Sequence, residues 1–255
     1  MKILIVNADD FGQAPGVNRG VMEAHEHGIV TSATVMVRWP SAVEAAEYAK
    51  SRPTLSLGLH LDLAEWNYTD GGWVPRYEVT PPDDASAIRD EIQRQLDAFL
   101  TIVGQPPTHI DSHQHVHRNQ PVARLLAEAG RSLGVPVRDM APGITYSGSF
   151  YGQDARGHPM PEAVSVEALV SIIEELPDGT TELGCHPGDG NGLDTMYERE
   201  RAVEVATLCS PRVRTALVEC GVQLCSFADL ASPDRVTRSA VTGRRPASAN
   251  PDAAG

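Results

Sequence analysis

The chain has 255 residues, 41% of them hydrophobic and 22% charged, which is enough to bury a sizeable core. Its formal net charge of −13 argues against a protein that grips nucleic acid or anionic lipid through bulk electrostatics, and no apolar run approaches a membrane span. The apolar run after Met1 is too short for a signal peptide, so a cytoplasmic protein is expected, and Cys185, Cys209, Cys220 and Cys225 lack CxxC spacing and read as packing residues.

In chain order, residues 2–6 form a β-rich run, and a helix-like stretch over 16–27 stops at Gly28. Residues 30–37 read as a second strand. Ser41 and Glu44 spell a capping box that opens a helix. A third strand over 55–61 ends in GLHL, and no regular element is predicted between it and the next helix. That helix carries Ile88, Ile92, Leu96, Phe99 and Val103 at helical spacing and closes at Gly104.

Residues 108–117, THIDSHQHVH, place His109, Asp111, His113, His115 and His117 at every second position. As a fourth strand, this stretch sends all five side chains to one face, which demands a partner or water. A helix over 122–133 follows, then a strand over 135–138, a helix over 165–176, a strand over 181–186, one or two helices between 194 and 220, and a strand over 222–227. Seven strands alternating with helices imply parallel strands with right-handed crossovers. The expected architecture is α/β: a distorted (β/α) TIM-like barrel forming a single domain over residues 1–230. Residues 231–255, rich in Ala, Ser, Pro and Arg, are expected to form a disordered tail.

On this map NADDFG follows strand one, His60 ends strand three, DSHQHVH leaves strand four and CHPGDG leaves strand six. All lie at C-terminal strand ends, which converge on the mouth of a parallel barrel, where active sites are found. One carboxylate and two imidazoles, Asp10, His60 and His113, make a ligand set suited to zinc, cobalt, nickel, manganese or iron, with magnesium served if oxygen ligands dominate. A cation so held lowers the pKa of its water toward about 7 and polarises a carbonyl. Asp9 is then a candidate base, and His186 across the mouth a candidate acid.

Together, NADDFG, GIVTSATVMV, GLHL, PTHIDSHQHVH and CHPG resemble the YdjC/ChbG carbohydrate deacetylases, in order and spacing, over roughly residues 2 to 230. The resemblance implies a metal-dependent barrel enzyme that removes the acetyl group from N-acetylated sugars such as chitooligosaccharides. It places one divalent metal, zinc or magnesium foremost, on Asp10, His60 and His113, with Asp9 as base and His186 as acid. Arg138 matches a family arginine that steers the base or binds substrate. A homodimer is an expectation at family level only. The chain is shorter than many members between His60 and His113, which leaves the sugar's length and phosphorylation open.

Aromatic residues cluster in two expected loops: Trp66, Tyr68, Trp73 and Tyr77 after His60, and Tyr146, Phe150 and Tyr151 after strand five. Trp66, Trp73 and Tyr146 are candidates to stack on sugar rings, with loop anchoring or a subunit contact as the plainer reading. His115 is a candidate substrate or outer-sphere group, while His25, His27, His109 and His158 read as solvent or packing residues. A metal-dependent phosphohydrolase, a non-haem iron oxygenase and a non-catalytic sugar-binding protein also accommodate parts of the pattern.

Overall fold

The computed structural model describes residues 1–190, 193 and 195–230, so the predicted tail lies outside the described residues. The chain runs β1 (Lys2–Phe11), α1 (Pro15–Glu26), β2 (Ser32–Val35), α2 (Ala42–Lys50), β3 (Ser56–Leu61), β4 (Ala64–Thr69), β5 (Gly72–Glu78) and α3 (Ala85–Val103). It continues through β6 (Ile110–Ser112), α4 (Val122–Leu133), β7 (Ile144–Ser147), α5 (Val166–Glu174), β8 (Gly179–Cys185), α6 (Arg199–Leu208), α7 (Pro211–Glu219), β9 (Val222–Leu224) and α8 (Phe227–Leu230).

Seven strands form one parallel sheet in the order β6-β3-β2-β1-β8-β7, with β9 also paired to β1. β1 is buried from Leu4 to Phe11, as a parallel strand covered on both faces should be. The helices cover the sheet through an apolar core that includes Val17 and Val21 of α1, Ile88 and Phe99 of α3, Leu125 and Leu126 of α4, and Leu169 and Ile173 of α5. The result is a single α/β domain, a curled sheet that makes a distorted (β/α) barrel.

Local chemistry explains both ends of α3. Asp84 caps α3 by accepting from the amides of Ser86 and Ala87, both at 3.0 Å, and Gly104 ends the helix at φ 85°. The capping box expected at Ser41 does not form. Ser41 already has helical dihedrals, and the Glu44 carboxylate accepts instead from Asn18 Nδ2 at 2.7 Å.

Three further expectations change. The predicted strand over 108–117 is regular only from Ile110 to Ser112. Beyond it the chain coils into a 3-10 turn, His113–Arg118, with Gln114 (φ 48°) and His115 (φ 54°) left-handed, so the period of two ends at Ser112. Residues 135–138 contribute only a bridge from Val137 to Ile110, and the seventh place in the sheet goes to β7 and its Tyr146. The aromatic loop after His60 is an antiparallel hairpin, β4–β5, in which Tyr68 faces Trp73.

Candidate active site

Adjacent strand residues point to opposite faces, so Asp9 and Asp10 reach one cavity only because β1 is irregular there. Pairing with β2 jumps from Ala8↔Ala33 to Phe11↔Val35, so two residues oppose one, and Asp10 takes φ 63°. This bulge re-aims the second carboxylate toward the mouth. A left-handed non-glycine residue costs on the order of 1–3 kcal/mol, and such positions gather at functional sites.

Asp10 Oδ1 lies 3.2 Å from His60 Nε2 and 3.0 Å from His113 Nδ1. All three residues are buried, and the Nε2 atoms of both histidines have no hydrogen-bond partner. Unpaired imidazole nitrogens are costly in a dry interior. An N,N,O donor set with ligand atoms within 4.8 Å of one another is what a divalent cation requires, so these residues fit one. A second group, Asp9, His60 and Asp111, meets the same spacing. Its carboxylates are already committed to the Arg138 guanidinium, which makes the Asp10 set the better fit.

His60 is oriented from behind. Its Nδ1 is 2.7 Å from Asp111 Oδ1, while Asp111 Oδ2 accepts from Thr34 Oγ1 at 3.0 Å and Arg138 Nη2 at 2.7 Å. With a carboxylate holding the Nδ1 proton, the proton the ring gives up when a cation binds is the one on Nε2, whose lone pair then faces Asp10. Burial lowers the His60 pKa, but Asp111, Asp10 and Asp9 outweigh it and hold the ring well above its ordinary value. For Asp10, burial pushes upward while Arg201 and His113 prevail, keeping the carboxyl well below the usual range. Arg201 of α6 donates Nη2 to Asp10 Oδ2 at 2.7 Å.

Asp9 is clamped by Arg138, with Nη1 to Oδ2 at 2.6 Å and Nη2 to Oδ1 at 2.7 Å, and Asn7 Nδ2 adds a bond to Oδ1 at 2.8 Å. Both lone pairs of Oδ1 are thus engaged, and one on Oδ2 is left. That oxygen stands 3.8 Å from His186 Nε2. Burial raises the Asp9 pKa, but Arg138 and the neighbouring histidines hold it well below its ordinary value. His186 packs between Tyr151 and Tyr197, each at 5.3 Å, and burial lowers its pKa to about 4.

These groups open on a cavity of about 700 Å³, within the range of small-molecule sites. Trp66, Trp73, His115 and Tyr146 line it as the sequence suggested. Arg138 does not: it is 3% exposed, and its guanidinium is taken up by Asp9, Asp111 and Glu182, so it serves to hold Asp9 rather than to face the cavity. Tyr146 lies over it, 4.6 Å from Arg138 Cζ to the ring centroid. Tyr77 is an anchor, its hydroxyl bonded to Asp62 at 2.8 Å. His109 is a packing residue, stacked on Phe227 at 3.8 Å, and His117 is buried between Ser112 and Asp139.

Sequence reading missed Arg201, Asn7, Thr34 and the role of Asp111. Asp111 shares the strand face of His109, which was a usable signal. Arg201 sits on a helix 191 residues from Asp10 with no motif around it.

The family model described as YdjC-like protein matches residues 3–219. The chain belongs to the YdjC-like family. A chitooligosaccharide deacetylase of Serratia marcescens is 34% identical over 252 residues, covering 90% of this chain and 99% of the relative. Among solved structures, a proposed cellobiose-phosphate cleavage protein of Enterococcus faecalis V583 superposes with a TM-score of 0.71 at 28% identity, over 90% of this chain and 98% of that one. A family 4 carbohydrate esterase of Streptomyces lividans, solved with acetate, shares the fold with a TM-score of 0.52 at 15% identity, over 88% and 91% of the two chains. Among the described residues, no helix is long and apolar enough to cross a membrane.

Proposed function

We propose that this YdjC-like protein is a metal-dependent hydrolase that removes the N-acetyl group from an N-acetylated sugar or oligosaccharide. The observation that carries the reading is the convergence of Asp10, His60 and His113, with two unpartnered imidazole nitrogens, beside the clamped Asp9 and His186. The names of the relatives point the same way.

Asp10, His60 and His113 would hold the cation. Bound there, it supplies a Lewis acid for a carbonyl oxygen and makes hydroxide available near neutral pH. The protein's own groups do the rest. Oδ2 of Asp9, the oxygen with a lone pair to spare, takes the proton of the water that adds to the acetyl carbon. His186 Nε2, 3.8 Å from that oxygen and neutral at rest, is placed to pick up that proton and deliver it to the sugar nitrogen as the C–N bond breaks, giving acetate and the free amine. Arg138 keeps Asp9 ionised and aimed, and Trp66, Trp73 and Tyr146 offer faces for the sugar.

The test is acetate release from N-acetylated oligosaccharides by chelated protein reloaded with zinc, cobalt or magnesium. His60→Ala and His113→Ala should lose metal and activity together, whereas Asp9→Asn should keep metal and lose about 10²- to 10⁴-fold in rate. Acetate release that persists in Asp9→Asn, or metal content unchanged in both histidine variants, refutes the assignment.

A further inference from the structure

His186 has a proton to deliver, yet its ring lacks the device that orients His60. Asp111 holds His60 through Nδ1, whereas among the described residues nothing hydrogen-bonds Nδ1 of His186, which is buried. Its Nε2 stands 3.8 Å from Asp9, beyond a hydrogen bond. The direction of this imidazole must come from its main chain and from packing.

Both trace back to one helix. His186 directly follows β8; its N–H donates to Oε2 of Glu204, and Arg201 Nη1 reaches its carbonyl at 3.4 Å. Arg201 and Glu204 lie three residues apart on one face of α6, and the Arg201 carbonyl accepts from Gly188 N–H at 3.2 Å. Oε1 of Glu204 accepts the Tyr197 hydroxyl, which itself accepts from Gly152 N–H at 2.8 Å. Tyr197 is one of the two rings packed on His186, and it stacks on the other, Tyr151, with centroids 4.6 Å apart. Glu204 thus holds the backbone of His186 with one oxygen and the ring beside it with the other. It is fully buried behind the cavity wall.

Meeting two donors with two oxygens is a matter of shape before charge, and burial pushes the Glu204 pKa up to about 8. A glutamine there keeps an oxygen for His186 N–H and an amide that the Tyr197 hydroxyl can accept. An aspartate keeps the charge but is one methylene too short to reach both.

We infer that Glu204 is a positioning residue for proton delivery: it aims His186 at the leaving nitrogen by holding the His186 N–H and the Tyr197 hydroxyl together. The inference rests on the deacetylase reading of the site, and one of its readouts is independent of turnover. The zinc-loaded full chain is assayed on an N-acetylated chitooligosaccharide, whose amine must leave with a proton, and on p-nitrophenyl acetate, whose phenolate leaves without one.

Glu204→Asp should lower kcat on the sugar about tenfold or more, since a misplacement of about 1 Å can cost 10²-fold, with KM and the ester rate within about threefold of wild type. Glu204→Gln should stay close to wild type on both substrates. Tyr197→Phe, which cuts the other half of the hold, should show the same split between sugar and ester as Glu204→Asp, and carries the test should Glu204→Asp not fold. A sugar rate unchanged in Glu204→Asp, an equal fall on sugar and ester, or Glu204→Gln damaged more than Glu204→Asp overturns the inference. In histidine-labelled protein, nuclear Overhauser contacts from the His186 ring to Tyr151 and Tyr197 should persist in Glu204→Gln and weaken in Glu204→Asp; contacts unchanged in Glu204→Asp also overturn it. If wild type releases no acetate from the sugar, the deacetylase reading fails, and these contacts alone decide whether Glu204 holds the ring.

Discussion

Asp111→Asn is nearly isosteric, yet it should strip His60 of the ligand function proposed for it. In the native site Asp111 Oδ1 receives His60 Nδ1 at 2.7 Å, and Oδ2 receives Arg138 at 2.7 Å, Thr34 at 3.0 Å and Asn7 at 3.3 Å. An asparagine has one oxygen for these four donors. If the oxygen stays with His60, the amide NH₂ is driven against three donors, one of them a buried guanidinium. The alternative satisfies those three and turns the NH₂ toward Nδ1, which must then accept. That moves the imidazole proton to Nε2 and removes the lone pair that faces Asp10. Changes to groups that orient a metal-binding histidine typically cost about 10- to 100-fold in metal affinity, or roughly 1.4–2.8 kcal/mol. Calorimetric titration of chelated protein with zinc or cobalt reads this directly, and circular dichroism checks that the fold persists. Affinity within twofold of wild type in a folded Asp111→Asn protein would refute the tautomer argument and the ligand role of His60 Nε2.

Gly58→Ala should destabilise the fold, because a Cβ there would lie 2.6 Å from His109 Cε1, and the ring cannot retreat from Asn7, Thr108 and Phe227. Overpacking of this kind costs about 1–3 kcal/mol, and each kcal/mol lowers Tm by about 2–4 °C for a chain of this size; an unchanged Tm in calorimetry would show the ring yields. Burial and the nearby Arg138 hold the His109 pKa well below its ordinary value, so the unfolded chain takes up the proton first. Stability from this group is therefore complete above pH 6.5 and falls as pH drops below it, by at most about 1.4 kcal/mol per pH unit; denaturant midpoints between pH 7 and 5.5 should slope less in His109→Gln than in wild type. Gln114 exchanges two hydrogen bonds with the backbone of Trp66, at 2.8 and 2.9 Å, so Gln114→Ala should loosen the β4–β5 hairpin by about 1–3 kcal/mol. Hydrogen exchange at the Trp66 amide should then speed up about tenfold or more, and an unchanged rate would mean the hairpin is held elsewhere, for instance at Tyr77 and Asp62.

What the sequence disclosed follows from which interactions are local. Helix α3 was legible because its apolar period and the glycine that ends it lie within one stretch of chain, and β1 because it opens with a continuous apolar run, Ile3 to Val6. The stretch from 108 to 117 misled because its alternation is real as far as Ser112, whereas the turn after it depends on Gln114 reaching the backbone of Trp66, 48 residues away. β4 and β5 were invisible because their sides are lined with aromatic and polar residues, Trp66, Tyr68, Trp73 and Tyr77, chosen for the cavity and for Asp62 rather than for an alternating core face. In the site, the residues at strand ends could be read from their motifs. Arg201 could not, since only the tertiary fold brings α6 to Asp10.

The arginines explain how so acidic a cluster can be buried at all. Asp9, Asp10 and Asp111 bring three negative charges into a dry interior, a cost repaid only by paired, well-aligned cations. Arg138 spans Asp9 and Asp111, and Arg201 takes the outer oxygen of Asp10, which leaves one carboxylate charge uncompensated. Two further buried carboxyls beside these arginines do not add to it in full: burial raises Glu182 to about 7 and Glu204 to about 8, despite the arginines. The surplus resides on Asp10 Oδ1, the oxygen that faces His60 and His113 and that no arginine touches. A fold that meets every other oxygen of these three aspartates with guanidinium, amide, hydroxyl or imidazole donors, except the one lone pair on Asp9 Oδ2, has left its unspent charge at one point and an open proton acceptor at another. The first is where a cation would bind, and the second faces His186. Neutralising Arg201, as in Arg201→Met, should therefore not mimic loss of a ligand: it should raise the negative charge on Asp10 and weaken folding, while metal binding in the folded fraction holds or tightens.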